Sequence, residues 1–296
     1  MNSLNTYLIG DTLKSFREYK KLSLKELSEG VCTEEELISF EKEVVYPDLE
    51  TLNLLLRRLN VDLAYFFNVA SKSSINYANA VIRLINRLKR AWNYERIQDI
   101  INNELENPIF QTDQLRQFLI WHQGICTFYL EKDLSKALDL LYQAIDITNK
   151  NRVEFNEREI EILTSIALLH KESGNFEEAV KLFKDSLESL ENLPDILEPR
   201  GKIRVYFGLA QTLTEIGEYA ESFQFSREGI DFCITQDLMF LLAHLYYQCG
   251  ENLIKMYQKE EGLQYIEKAI YMSKLQENEK ISEIIENEKD KLLSQW

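Results

Sequence analysis

Four short segments recur along this chain, each centred on one small residue: Lys136-Ala137-Leu138, Glu178-Ala179-Val180, Glu221-Ser222-Phe223 and Glu261-Gly262-Leu263. Successive small residues lie 42, 43 and 40 positions apart. A period of that length marks stacked helical hairpins, none of which can bury its apolar face alone. Three copies share a turn ahead of the second helix: Glu131-Lys132-Asp133-Leu134, Ser173-Gly174-Asn175-Phe176 and Ile216-Gly217-Glu218-Tyr219. A weaker fifth copy falls near Tyr94-Glu95-Arg96-Ile97, 40 residues before the first. The small residue lets two helices approach closely, and a glycine in the turn permits a positive φ. Asn278 to Trp296 reads as a helix capping the last hairpin.

Composition agrees. Only 10 glycines and 4 prolines occur in 296 residues, where about 7% and 5% are usual. Strand-and-turn architectures and phosphate-cradling loops therefore lack the residues they need. No GxGxxG, GxxxxGK[ST], GxSxG or HExxH is present, so the sequence offers no support for an enzyme. Cys32, Cys126, Cys233 and Cys249 form no CxxC pair, and with His122, His170 and His244 alone no metal centre or cofactor is expected. Cys126, Cys233 and Cys249 sit in apolar runs and read as reduced, packed thiols. Cys32 has a second reading as a redox sensor, which requires exposure and a lowered pKa. No apolar run approaches about 18 residues, and the start MNSLNTYLIGD lacks a basic leader, so a soluble, cytoplasmic chain is expected. The net charge of −15 disfavours indiscriminate binding to nucleic acid or anionic membrane.

Residues 1–70 follow different rules. Leu8, Ile9, Leu13 and Phe16 form one stripe, ending in Arg17, Lys20 and Lys21. Ser23 with Glu26, and Thr33 with Glu36, are spaced as capping boxes that open two further helices. The first of these stops near Gly30, and the second carries Leu37 and Phe40 inward and breaks before Val44-Val45-Tyr46-Pro47. Asp48 opens a fourth helix bearing Leu49, Leu52, Leu55, Leu56 and Leu59, and a short fifth holds Leu63, Tyr65, Phe66 and Phe67. Five short helices with a tight turn between the second and third resemble the Cro/C1-repressor type of helix-turn-helix. The likeness rests on Leu22-Ser23-Leu24-Lys25-Glu26-Leu27-Ser28, Phe40-Glu41 and Tyr46-Pro47-Asp48-Leu49-Glu50-Thr51-Leu52.

The expected architecture is thus all-α: a five-helix head over 1–70, then over 71–296 a right-handed α-solenoid of about five tetratricopeptide-like pairs and a capping helix. Such an array recognises extended peptides or partner proteins on its concave face. The combination resembles the peptide-pheromone-sensing regulators of Gram-positive bacteria, the group of PlcR, PrgX, NprR, Rap and Rgg. Val44-Val45-Tyr46-Pro47, Gln117-Phe118-Leu119-Ile120-Trp121 and Leu245-Tyr246-Tyr247-Gln248-Cys249-Gly250-Glu251 carry this likeness. It implies a cytoplasmic homodimer that binds a short imported peptide in its repeats and thereby changes how two heads address a palindromic operator.

In the head, the expected contacts to double-stranded DNA are Arg17, Lys21, Ser23, Lys25, Thr33, Glu34, Glu35, Ser39 and Lys42. Eight basic residues face twelve acidic ones there, a net −4, although phosphate neutralisation supplies much of DNA affinity. Glu34 and Glu35 stand where the family usually has Gln or Ser, Ser39 where it has Arg, and Leu24 where it has Gln. Glutamate can accept from cytosine N4 but repels phosphate. A rival reading follows, a repeat protein that sequesters a protein partner and whose head has lost DNA binding.

For the peptide, Arg83, Arg87 and Arg90 share a helix face beside Lys89 and suit a terminal carboxylate. A solvated surface, or contacts to the head domain, fits them equally. His244, Gln248, Asn252 and Lys255 share one face of the fifth repeat, opposite Leu242, Cys249, Leu253 and Met256. Gln123, Tyr206, Gln211 and Tyr247 complete the expected peptide contacts, whereas Trp121 reads as core. The inner-helix asparagines of the family are replaced by Leu168 and Gly208.

Overall fold

The computed structural model describes residues 7–71 and 73–294; Gln295 and Trp296, the end of the expected capping segment, lie outside the described residues. Every regular element among these residues is helical, and the fold is all-α, as expected. Two compact units emerge, one of residues 1–96 with 102–115 and one of 97–101 with 116–296.

The first unit opens with α1 (Ile9–Tyr19), α2 (Leu24–Ser28), α3 (Glu34–Glu41), α4 (Leu49–Leu59) and α5 (Leu63–Ala70). Local chemistry fixes each start. Ser23 Oγ accepts from Glu26 N while the Glu26 carboxylate accepts from Ser23 N. Thr33 and Glu36 repeat this box, and Asp48 and Asp62 cap α4 and α5. Ile9, Leu13, Leu27, Leu37, Leu55, Leu56, Leu59 and Phe66 then form one core, each side chain contributing about 1.5–3 kcal/mol on burial. The same unit holds α6 (Ser73–Arg90), and α7 (Tyr94–Glu104) follows.

The later helices run in pairs: α8 (Asp113–Glu131) with α9 (Leu134–Thr148), α10 (Glu157–Glu172) with α11 (Phe176–Glu191), α12 (Arg200–Glu215) with α13 (Tyr219–Thr235), and α14 (Leu242–Lys255) with α15 (Lys259–Leu275). A last helix, α16 (Glu279–Ser294), packs on α15 and α14.

The period seen in the sequence has a structural cause. Within a pair the small residue of the second helix meets a small residue of the first. A Cβ on Gly250 would lie 2.6 Å from the Gly262 carbonyl oxygen, and one on Gly262 would lie 2.8 Å from that of Gly250. Ser222 reaches the equivalent place by donating its hydroxyl to the Ala210 carbonyl at 2.6 Å. The intra-pair turns share a left-handed residue: Trp92, Lys132, Gly174, Gly217 and Tyr257 all have φ between 56° and 86°. In four of them the amide two positions beyond the C-cap bonds back to the carbonyl five residues earlier, as from Asn175 to His170 and from Gln258 to Leu253. That closure absorbs end carbonyls left unpaired by the helix.

Candidate functional site

Two surfaces carry the side chains singled out above. In the head, Ser23 and Thr33 sit at the capped N-termini of α2 and α3. Their hydroxyls are committed to their own capping boxes. Lys21, Lys25, Glu34, Glu35 and Lys42 are exposed. Ser39 is half-buried and donates to the Glu35 carbonyl at 2.9 Å. Arg58 donates to the carbonyls of Glu26, Leu27 and Glu29, which close the C-terminal end of α2.

Arg17 is placed differently from the sequence expectation. Its Nε and Nη2 donate to the two carboxylate oxygens of Glu41 at 2.6 and 2.8 Å, and Nη1 donates to the Leu22 carbonyl. The bond to Glu41 holds the guanidinium pKa above its ordinary value. Both side chains are largely enclosed, at 12% and 7% exposure. Arg17 therefore pins α1 to the end of α3 rather than presenting its charge outward, and removing either partner would leave a buried charge uncompensated.

In the second unit a cavity of about 200 Å³ opens between α12, α14 and α16. Of the expected peptide contacts it brings together Gln211, His244, Tyr247 and Gln248. Phe207, Glu215, Glu251, Ile281, Ile284 and Glu288 join them, none of which the sequence had indicated. The signal for the α12 members lies in the spacing of Phe207, Gln211 and Glu215, which puts them on one helix stripe; the sequence of α16 marks only a cap. His244 stacks edge-on to Phe207 with centroids 5.5 Å apart, and burial lowers its pKa, favouring the neutral ring. Burial raises the Tyr247 phenol pKa, helped by the nearby charges of Glu251 and Glu288. Lys171 donates to the Gln211 amide oxygen at 3.0 Å.

Asn252 departs from its expected role: it is fully buried and sits within a directed chain of hydrogen bonds that runs from Gln248 to the Ala210 carbonyl. Gln248 Nε2 donates to Thr214 Oγ1 at 2.7 Å, and Thr214 Oγ1 donates to Asn252 Oδ1 at 2.8 Å. Asn252 Nδ2 in turn donates to Ser222 Oγ at 2.7 Å, and that hydroxyl donates to the Ala210 carbonyl. The chain ties α12, α13 and α14 together and fixes the Gln248 side chain, which is itself 3% exposed.

Other expected contacts are dispersed. Tyr206 is buried beside Phe232 and Lys202, with its pKa pushed up to about 12 by burial, and does not line the cavity. Gln123 is half-buried on α8, also outside the lining. Arg83, Arg87 and Arg90 are exposed and Lys89 half-buried on α6, in the first unit, whereas the cavity lies in the second. Gly208 stands in place of a family asparagine because a Cβ there would meet the Phe183 ring at 2.6 Å. Trp121 is core, donating to Ser165 Oγ at 2.9 Å.

The four cysteines are free thiols. Burial raises the pKa of Cys126 to about 12, Cys233 to about 11 and Cys249 to about 12. Burial and the charge of Glu36 raise that of Cys32 too, which opposes the thiolate a redox sensor needs. Among the described residues no helix is long and apolar enough to cross a membrane, and no cluster of potential metal ligands occurs.

Comparison with known proteins places this geometry. The model of the RNPP family C-terminal domain matches residues 82–294. The crystal structure of Bacillus thuringiensis PlcR in complex with the peptide PapR7 and DNA superposes with a TM-score of 0.79 at 25% identity, covering 94% of this chain and 98% of that one. S. thermophilus ComR, in complex with DNA and its signalling peptide ComS, gives 0.67 at 14% identity over 96% of this chain and 99% of that one, a likeness of fold. Response regulator aspartate phosphatase H of Bacillus subtilis (strain 168) is 30% identical over 149 residues, 46% of this chain and 38% of that protein. The chain thus spans about two fifths of that relative's length.

Proposed function

This chain belongs to the RNPP family and has the fold of its peptide-sensing regulators, and on that premise we propose that it is a cytoplasmic transcriptional regulator of quorum-sensing type. In this reading a homodimer binds a palindromic operator through α1–α5, and a short signalling peptide in the repeat cavity controls that binding. The observation that carries it is the span of the PlcR likeness, which takes in head and repeats together at 25% identity. What supports docking is two helix N-termini capped by Ser23 and Thr33, with Lys21 and Lys25 exposed in the sequence around the first and Lys42 exposed at the far end of α3. Glu34, Glu35 and Ser39 are the proposed contacts to base edges. Gln211, His244, Tyr247 and Gln248 are the proposed ligand contacts. Ligand binding acts by preferring one of two arrangements of the repeats, and so of the paired heads.

A second reading, a protein that sequesters a partner without touching DNA, is favoured by the three exposed glutamates that open α3 and by the match to phosphatase H. Selection of duplexes from a random-sequence pool by the purified chain, at about 50 and about 200 mM salt, separates the two. Recovery of a shared palindrome, with affinity falling steeply in salt, supports the operator reading. Recovery of nothing by folded protein, both alone and with a pool of synthetic heptapeptides present, overturns it in favour of the partner.

A further inference from the structure

The cavity in the repeats has a charge character that the peptide reading leaves open. On α12, Arg200, Arg204, Phe207, Gln211 and Glu215 follow at intervals that place them on a single stripe. Its beginning is cationic: Arg204 pairs with Glu161 at 2.6 Å, and both arginines lie over the Phe240 ring. Its end opens into the cavity, where Glu215, Glu251 and Glu288 arrive from three helices and no lysine or arginine takes part in the lining.

Two of these carboxylates have cationic neighbours outside the cavity. Glu251 accepts from Lys255 at 2.8 Å and from Gln248 at 3.1 Å, and Glu288 accepts from Lys291 at 2.6 Å. Lys171 reaches the lining as well, donating to the Gln211 amide oxygen at 3.0 Å, but the wall itself holds three carboxylates and no cation, and the charges of Glu251 and Glu288, after burial, disfavour a further anion at Tyr247. His244, made neutral by burial, adds no positive charge. Phe207, Ile281 and Ile284 supply apolar wall of the kind that covers a methylene stem while a charged head reaches carboxylates.

We propose that this cavity takes the cationic group of a short peptide, a lysine or arginine side chain or a free amino terminus, between Glu215, Glu251 and Glu288. The proposal rests on the peptide reading above and specifies which peptides satisfy it. The stripe from Arg204 to Glu215 rises about 16 Å, the reach of about five residues of extended chain. A peptide that laid its cation in the cavity would therefore carry its following residues toward the arginines.

The test uses the full chain and three pools of synthetic heptapeptides, with retained peptides read by mass spectrometry. One pool has a lysine and free amino termini, the second the same lysine with acetylated termini, and the third norleucine with acetylated termini. Wild type is expected to retain at least one cation-bearing pool about tenfold or more over the cation-free pool. Retention of the second pool like the first assigns the side chain, and its loss assigns the amino terminus. In the double variant Glu215→Gln, Glu288→Gln, the preference is expected to fall below about twofold. Equal retention of all pools by wild type, or a preference that survives the double variant, overturns the proposal and leaves the peptide reading standing. Retention of no pool overturns both.

Discussion

Replacing Asn252 by Ala separates a structural role from a ligand-contacting one. Its amide is fully enclosed and makes three bonds, accepting from Thr214 at 2.8 Å and donating to Ser222 at 2.7 Å and to the Gln248 carbonyl at 2.8 Å. Not all three losses carry full weight. The Thr214 hydroxyl can turn to the Ala210 carbonyl, already 3.0 Å away, and Ser222 keeps its own bond to that carbonyl. At about 1 kcal/mol for each bond lost net, and more for any group left unpaired, plus the void left by the amide, the expected loss is about 2–4 kcal/mol. Urea unfolding followed by far-ultraviolet circular dichroism reads it directly. A double-mutant cycle with Thr214→Val should show coupling of about 1 kcal/mol or more, since the two side chains share a bond. A change in stability below about 0.5 kcal/mol, with no coupling, would refute the buried relay and return Asn252 to the ligand surface.

Three further outcomes follow from other parts of the structure. Gly250→Ala puts a methyl group 2.6 Å from the Gly262 carbonyl, so it should destabilise the second unit by about 1–3 kcal/mol, whereas Gly174→Ala, with open space around it, should show only the roughly 1–3 kcal/mol backbone strain of a positive φ and leave the helix spacing unchanged; urea midpoints and a crystal structure of each variant check this. Burial lowers the His244 pKa, so the unfolded chain takes up the proton first. Stability is therefore full above the ordinary value of about 6.5 and falls as pH drops through it, and His244→Phe should flatten this part of a stability profile between about pH 7.5 and 5.5. Lys25→Ala should weaken binding to any recovered operator about equally for all sequences and reduce the slope of log affinity against log salt by about 1, as filter binding or anisotropy would show.

What was legible in the sequence was what neighbouring residues decide. Both capping boxes, Ser23 with Glu26 and Thr33 with Glu36, form as their spacing requires. The period of Ala137, Ala179, Ser222 and Gly262 gives the stacked hairpins because close helix contact tolerates only small residues there. The turns were harder to read, because the left-handed position is glycine only at Gly174 and Gly217 and is taken elsewhere by Trp92, Lys132 and Tyr257. Side-chain roles that depend on distant partners stayed hidden. Arg17 looks like a free cation until Glu41, 24 residues on, is folded against it. Asn252 and Gln248 lie on one helix face, yet the hydroxyls of Thr214 and Ser222 draw one of them fully inward. The contribution of α16 to the cavity depends on how the last helix packs, which no local pattern encodes.

That head and cavity act on the same genes can be read out by transcript profiling of cells carrying variants of the full chain. Two variants suffice alongside wild type: Ser23→Ala with Lys25→Ala in the head, and Ile284→Trp, which fills the cavity from a 46% exposed position on α16. If head and cavity work together, both variants disturb one shared set of transcripts. A head variant whose profile matches wild type, while the cavity variant still has an effect, would contradict it and leave a protein partner as the target.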